Sequence, residues 1–498
     1  MILDTLITSL SATNLGAAFG GTLLGVIMGA LPGIGATMTM ALVLPFTFWM
    51  DPATALILLG AIYCGATYGG SISAILINTP GTPASTATVF DGYPLARQGK
   101  AMNAIGIAAM ASLVGGLFGL VILVFTAPLM AEISLLFGPA EFFMLVLFTF
   151  IVISMTIVKD SVLKGLVAIG LGLVLSVIGY DPVSGAVRFT FGLAYFDDGI
   201  QLVPAIIGLF AISEVFSLAQ AGGTISKALD VKGSLVDGFR AVFRYPATII
   251  RSSLIGSGVG ALPGIGVSAA NLIAYVVAKG SSPDGARFGE GMEEGVVAPE
   301  VSNNAVTATS LIPTLTLGIP GSSSAALLLG ALMVHGLIPG ASLFTERAGV
   351  TYTFFWGLLF ANLFMIVVTF MLVRAFVKIT TVNAVFLVPI ITGLCLIGAY
   401  AIRNSVGDMA VAFAFGVLGY VMSRLKYDLI CLLLPLMLGT MMERSYHQAL
   451  MLAKGSHAIF IMSPISKCIL AMCLFAVVYP MYLRVKKKRA QRQTPASP

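Results

Sequence analysis

Glu300, Asn303, Asn304 and Thr307 stand at i, i+3, i+4 and i+7 in the stretch APEVSNNAVTATS. On a helix they share one face. A carboxylate, two carboxamides and a hydroxyl there present hard oxygen donors, suited to Na+ or to a hydrated carboxylate. The plainer reading is hydrogen bonding between helices, with Glu300 solvated at a boundary. A second chemistry surrounds prolines and glycines. The letters GALPGIG occur at 29–35 and again at 260–266, each time inside an apolar run. Asn78-Thr79-Pro80-Gly81-Thr82-Pro83, followed by Ser85, is matched by Gly318-Ile319-Pro320-Gly321-Ser322-Ser323. Proline and glycine break helices. Hydrocarbon tolerates such a break only where it faces protein or a water-filled cavity. Free N–H groups at a half-helix start attract anions, and free carbonyls at a half-helix end coordinate cations.

These patterns predict an anion site at Pro32, Gly33, Gly35, Asn78, Thr79, Gly81, Thr82 and Ser85 of the first half. Pro263, Gly264, Gly266, Gly321, Ser322 and Ser323 complete it from the second. Glu300, Asn303, Asn304 and Thr307 are expected to hold a coupling ion, Na+ or H+. Turn chemistry and GxxxG packing (Gly25 with Gly29, Gly256 with Gly260) compete with this reading. The repeated proline favours the site, because proline does not assist packing. His335, His447 and His457 do not cluster, and no nucleophile elbow, zincin or P-loop pattern is present. Neither catalysis, a cofactor, nor a metal beyond a transported Na+ is expected.

The elements that must position these residues are membrane helices. Of 498 residues, 58% are hydrophobic and 10% charged, and mean hydropathy is +1.00. Soluble domains carry roughly a quarter charged residues. The net charge of +6 therefore speaks of membrane orientation rather than nucleic acid. The five cysteines sit in apolar stretches as small hydrophobes. No basic n-region marks a signal peptide in MILDTLITSL. Apolar runs at 53–79, 101–127, 138–158, 162–180, 201–218, 300–341, 350–373, 383–401, 406–422, 427–441 and 458–482 are candidate spans. Basic clusters at Arg97/Lys100, Lys159/Lys164, Lys227–Arg251, Arg374/Lys378, Arg424/Lys426 and the tail RVKKKRAQR fall on one side if the two GALPGIG runs do not cross.

The expectation is an all-α polytopic membrane protein with about 11 crossings and two re-entrant hairpins, N-terminus outside and C-terminus in the cytoplasm. Arg188, Arg347, Arg403, Arg444 and Lys454 fall on the wrong side, where Asp181, Asp197, Asp198, Glu346, Asp408 and Glu443 dilute the contradiction. Residues 1–220 form the first repeat, 221–245 a cytoplasmic linker and 246–441 the second repeat. Residues 442–498 supply a last helix and basic tail. The halves enter from opposite sides, as in inverted-repeat secondary transporters. The alternatives are a channel, or a scaffold subunit without its own carrier site.

The motifs GALPGIG, INTPGTPAS, DGYPLARQGKA and EEGVVAPEVSNNAVTATSLIPTLTLGIPGSSSAALLLGALMVHGLIPG resemble those of the TctA family over most of the chain. TctA is the large membrane subunit of the tripartite tricarboxylate transporters. The resemblance implies a carrier of the bacterial inner membrane for di- and tricarboxylates such as citrate, driven by an ion gradient. It also implies two partners, a small TctB-like membrane subunit and a periplasmic TctC-like binding protein.

Overall fold

The structure, a computed structural model, describes residues 2–156, 162–221, 232–262, 267–376, 378 and 384–493. Pro263, Gly264 and Gly266, like Lys159 and Lys227, lie outside them. Helices dominate: α1 Ile2–Ser9, α2 Ala12–Gly29, α3 Ala36–Thr47, α4 Pro52–Ile77, α5 Thr88–Leu95, α6 Ala101–Ser134, α7 Pro139–Thr156 and α8 Val162–Ser176. A two-residue ribbon, β1 Gly179–Tyr180 with β2 Val187–Arg188, separates these from α9 Leu202–Ile206 and α10 Ser213–Ala221. Next come α11 Leu235–Val242, α12 Pro246–Gly260, α13 Val267–Ser281, α14 Glu293–Thr309, α15 Leu311–Leu317, α16 Ser323–Val334 and α17 Ala348–Leu372. The last are α18 Ala384–Arg403, α19 Val406–Arg424, α20 Ile430–Leu452 and α21 Pro464–Gln493. Among the described residues six helices are long and apolar enough to cross a membrane: Ala12–Gly29, Pro52–Ile77, Thr88–Ser134, Leu202–Gln220, Ala348–Leu372 and Val406–Arg424. The protein is a helical membrane protein.

The chain forms two compact units. One holds residues 1–134 and 201–421, and the other 135–200 and 422–498. In the smaller unit α20 packs on α7 and α8, and α21 on α7. The expected helix over 162–180 stops at Ser176. Gly179 takes a positive φ of 107°, and Asp181 accepts the N–H groups of Val183 and Ser184, which turns the chain into the ribbon. Arg188 there pairs with Glu443 at 2.7 Å and Asp181 at 3.3 Å. In the larger unit Arg403 pairs with Asp408 at 2.6 Å. Two bases on the wrong side of the charge pattern thus meet the acids expected to offset them.

The larger unit contains the same arrangement twice. Gly29 ends α2 and Gly260 ends α12, 231 residues later; Ala36 and Val267 open α3 and α13 at the same spacing. Beyond this point the spacing is 240. Ile77 ends α4 and Leu317 ends α15, and Asn78 and Gly318 then take left-handed backbone with φ of 58° and 70°. Packing repeats with the sequence. A Cβ on Gly25 would meet the Ile62 carbonyl, and one on Gly256 the Ser302 carbonyl. Gly29 lies on Ala66 and Gly260 on Val306 in the same way. Such backbone-to-backbone approach requires the missing side chain. The second copy differs by a kink at Ser310 and by its longer connection, residues 282–292 against 48–51.

The described residues of 221–245 include a packed helix. Ser234 caps α11, whose Leu235, Gly238, Ala241 and Val242 are buried against α6. Asn103 Oδ1 accepts the Ser234 N–H at 3.0 Å.

Candidate functional site

The broken helices of the larger unit bring together a polar interior. Glu300 is fully buried on α14. Its Oε1 accepts the hydroxyls of Ser71 on α4, at 2.5 Å, and Thr88 on α5. Its Oε2 accepts Ser112 on α6 at 3.0 Å. Among the described residues no base pairs with it. A buried carboxylate without a cationic neighbour is compensated by a proton or a cation. Glu300 is not solvated, as the plainer reading had it, because α6 packs along α14 through Gly115 and Gly119 and seals it.

One and two turns further on, Asn303, Asn304 and Thr307 are also buried. Thr307 Oγ1 lies 3.8 Å from Cys64 Sγ and donates to the Asn304 carbonyl at 2.7 Å. Asn304 Nδ2 reaches Met365 Sδ at 3.7 Å, leaving Oδ1 without a protein partner. Neither carboxamide atom of Asn303 has one. The structure thus groups all four residues expected to hold a coupling ion on one buried helix.

The breaks themselves divide. Gly81, Thr82 and Ser85 are buried, whereas Asn78 and Thr79 are exposed. A Cβ on Gly81 would strike the Gly29 carbonyl, and one on Gly321 would lie 2.7 Å from the Gly260 carbonyl. Each Pro-Gly turn therefore rests on the end of the helix that carries the GALPGIG of its own half. Ser322 caps α16, its hydroxyl accepting the Ala325 N–H at 3.1 Å, with Ser323 opening the helix. Gly33 is exposed with φ of 84°, Pro32 is half-buried, and Gly35 caps α3.

The halves also touch crosswise. Thr37 at the start of α3 lies 3.3 Å from Ser324 Oγ at the second break, and Asn271 of α13 donates to the Ala84 carbonyl at the first. Ser324 and Ala84 are equivalent positions at the 240-residue spacing. Helices α3 and α13 therefore each brace the other half's break.

Sequence reasoning missed several neighbours. Ser71, Thr88 and Ser112 were unremarkable hydroxyls in small-residue helices. Asn271 and Asn362 carried the signal of a lone amide in an apolar run. Glu214 was likewise a lone carboxylate beside an apolar run, and its Oε1 lies 3.7 Å from the place of a Cβ on Gly33. Asp91, of the DGYPLARQGKA stretch, is fully buried. It accepts the Tyr275 hydroxyl at 2.8 Å and the N–H groups of Gly289, Gly291 and Met292 at 2.9, 3.0 and 2.7 Å. These bonds pin the loop that enters α14.

A polytopic helical protein with two matched, mutually braced breaks and buried polar groups between them has the architecture of a transporter's membrane subunit. Residues 15–434 match the model of the tripartite tricarboxylate transporter TctA family, and the chain belongs to that family, one of transporters rather than enzymes. It is 36% identical over 490 residues to an uncharacterized 52.8 kDa protein in the TAR-I ttuC' 3' region of Agrobacterium vitis, covering 97% of this chain and 96% of the relative. A second protein of that organism, in the TAR-II ttuC' 3' region, is 35% identical over 240 residues, 47% of this chain and 98% of its own. No solved structure matches the chain.

Proposed function

We propose that this chain is the carrier subunit of an ion-coupled, binding-protein-dependent importer of di- and tricarboxylates. The carrying observation is the crosswise bracing of the two breaks, Thr37 on Ser324 and Asn271 on Ala84. Equivalent limbs that each hold the other half's break are what two repeats of opposite orientation produce around a shared midplane site. In this reading residues 1–220 and 246–441 are inverted repeats with about 11 crossings in a bacterial inner membrane, N-terminus periplasmic and C-terminus cytoplasmic. Substrate carboxylates engage the turns at Pro32–Gly35, Asn78–Ser85, Pro263–Gly266 and Gly321–Ser323. The coupling ion, Na+ or H+, engages Glu300, Asn303, Asn304 and Thr307. Family membership supports a TctB-like subunit and a TctC-like binding protein as partners.

The test is uptake of labelled citrate, tartrate and succinate into proteoliposomes holding this chain with a TctB-like subunit, with and without the binding protein. Saturable uptake that collapses with the ion gradient is expected. Non-saturable flux independent of any gradient would instead mean a channel.

A further inference from the structure

The equivalence of the two halves fails at one pair of positions. Tyr63 on α4 and Asn303 on α14 are 240 residues apart, as are Thr82 and Ser322. Tyr63 reaches the second break, where its hydroxyl lies 2.9 Å from Ser322 Oγ and 3.4 Å from Ser310 Oγ. Polar groups of that break, the Ser322 and Ser324 hydroxyls, are therefore engaged by the protein.

At the first break they are not. Thr82 Oγ1 is buried without a protein partner, and so are both carboxamide atoms of Asn303. Asn271, fully buried, spends its Nδ2 on the Ala84 carbonyl and leaves its Oδ1 unpartnered. All three residues belong to elements that meet on the short turn Pro83–Ser85, since α13 and α14 both pack there. Buried polar atoms without partners are costly, and such a concentration calls for a ligand. The oxygens on offer are one hydroxyl and two amide carbonyls. They are hard and neutral, with no carboxylate to balance a divalent ion. Glu300 stands one turn before Asn303 and puts a single negative charge in the same interior. An anion would meet acceptor-only lone pairs at two of the four atoms, the amide oxygens of Asn271 and Asn303.

We propose that a monovalent cation of Na+ type binds at the first break, held by Thr82 Oγ1, Asn271 Oδ1 and Asn303 Oδ1. Among the described residues the second break has no counterpart, because Tyr63 fills its place. Asn303 Nδ2 cannot ligate a cation and remains free to meet a carboxylate. This site shares only Asn303 with the four coupling-ion residues of the carrier reading and takes Thr82 from its carboxylate turn; the ion's role in coupling rests on that reading, and the site itself does not.

The experiment measures binding on the purified full-length chain in detergent, without transport. Thermal unfolding and 22Na+ binding are followed as NaCl replaces choline chloride at constant ionic strength, with KCl as a second series. The wild type should be stabilised saturably and Na+-selectively. Thr82→Val, Asn271→Leu and Asn303→Leu should each raise half-saturating Na+ at least tenfold, and Tyr63→Phe should leave it within twofold. A wild type indifferent to Na+, or three variants with unaltered half-saturation, overturns the site. A shift confined to Tyr63→Phe overturns it too, by placing the ion at the second break. If one asparagine variant fails to fold, the near-isosteric Thr82→Val decides. Uptake measured separately judges the carrier reading: Na+ binding without carboxylate uptake supports the site and counts against carriage.

Discussion

Glu300 combines full burial with three hydroxyl partners from three helices. Replacement by Gln keeps the shape and removes the charge. Glu300→Gln should insert normally, and its uptake should lose dependence on the driving ion, read as a flat rate against pH and Na+. Glu300→Ala strands the three hydroxyls and should cost about 2–5 kcal/mol of stability, measured by thermal unfolding in detergent. Asp91 does a different kind of work, because one of its oxygens accepts three backbone N–H groups and only the other meets a side chain, the Tyr275 hydroxyl. Asp91→Ala leaves buried N–H groups unpaired and should destabilise by about 2–4 kcal/mol, whereas Asp91→Asn should lose less. The helical spacing of Glu300, Asn303, Asn304 and Thr307 was legible because residues on one helix keep their order. Ser71, Thr88 and Ser112 lie between 188 and 229 residues away in the chain. Nothing local distinguishes them from hydroxyls that bond their own helix, as Thr314 and Thr369 do.

Among the elements, the breaks were legible from repetition alone, since proline and glycine act on the backbone whatever surrounds them. What they rest against was not. Gly81 and Gly321 lie on helix ends, so Gly81→Val and Gly321→Val should displace α2 and α12 rather than only obstruct a ligand. Both should abolish uptake and lower thermal stability. Gly20→Ala and Gly258→Ala, where an added Cβ meets nothing within 4 Å, should retain both. A stable Gly81→Val protein with normal uptake would mean that the first break and α2 do not pack together. Helix α11 escaped the sequence reading because eight residues with four buried positions give too short an apolar stripe inside a charged stretch. The ribbon escaped it because Gly179 and Asp181 redirect a chain that is otherwise still apolar.

For the whole molecule, the topology is tested by labelling. In a cysteine-free background, Asp51→Cys should react with an impermeant maleimide added to intact cells. Gly99→Cys and Asp237→Cys should react only after permeabilisation. Periplasmic labelling at position 237 would overturn the proposed orientation. Composition announced the membrane, and the repeated motifs announced the matched helix ends. The division into compact units at 135–200 and 422–498 was not legible, because it joins segments more than 200 residues apart through contacts that leave no local pattern.

The change of spacing from 231 to 240 residues has a historical meaning. It locates a net nine-residue difference between the copies from α13 to the first turns of α14, most of it in the connection 282–292. Gly289, Gly291 and Met292, whose amides clasp Asp91, lie in that connection, while Asp91 belongs to the other copy. A gene that doubled would first have encoded two interchangeable halves, each able to take either role. An insertion in one of them, gripped by an acid of the other, ends that interchangeability. From then on substitutions in each copy could diverge without being mirrored, and a tyrosine and an asparagine could come to occupy what had been the same position.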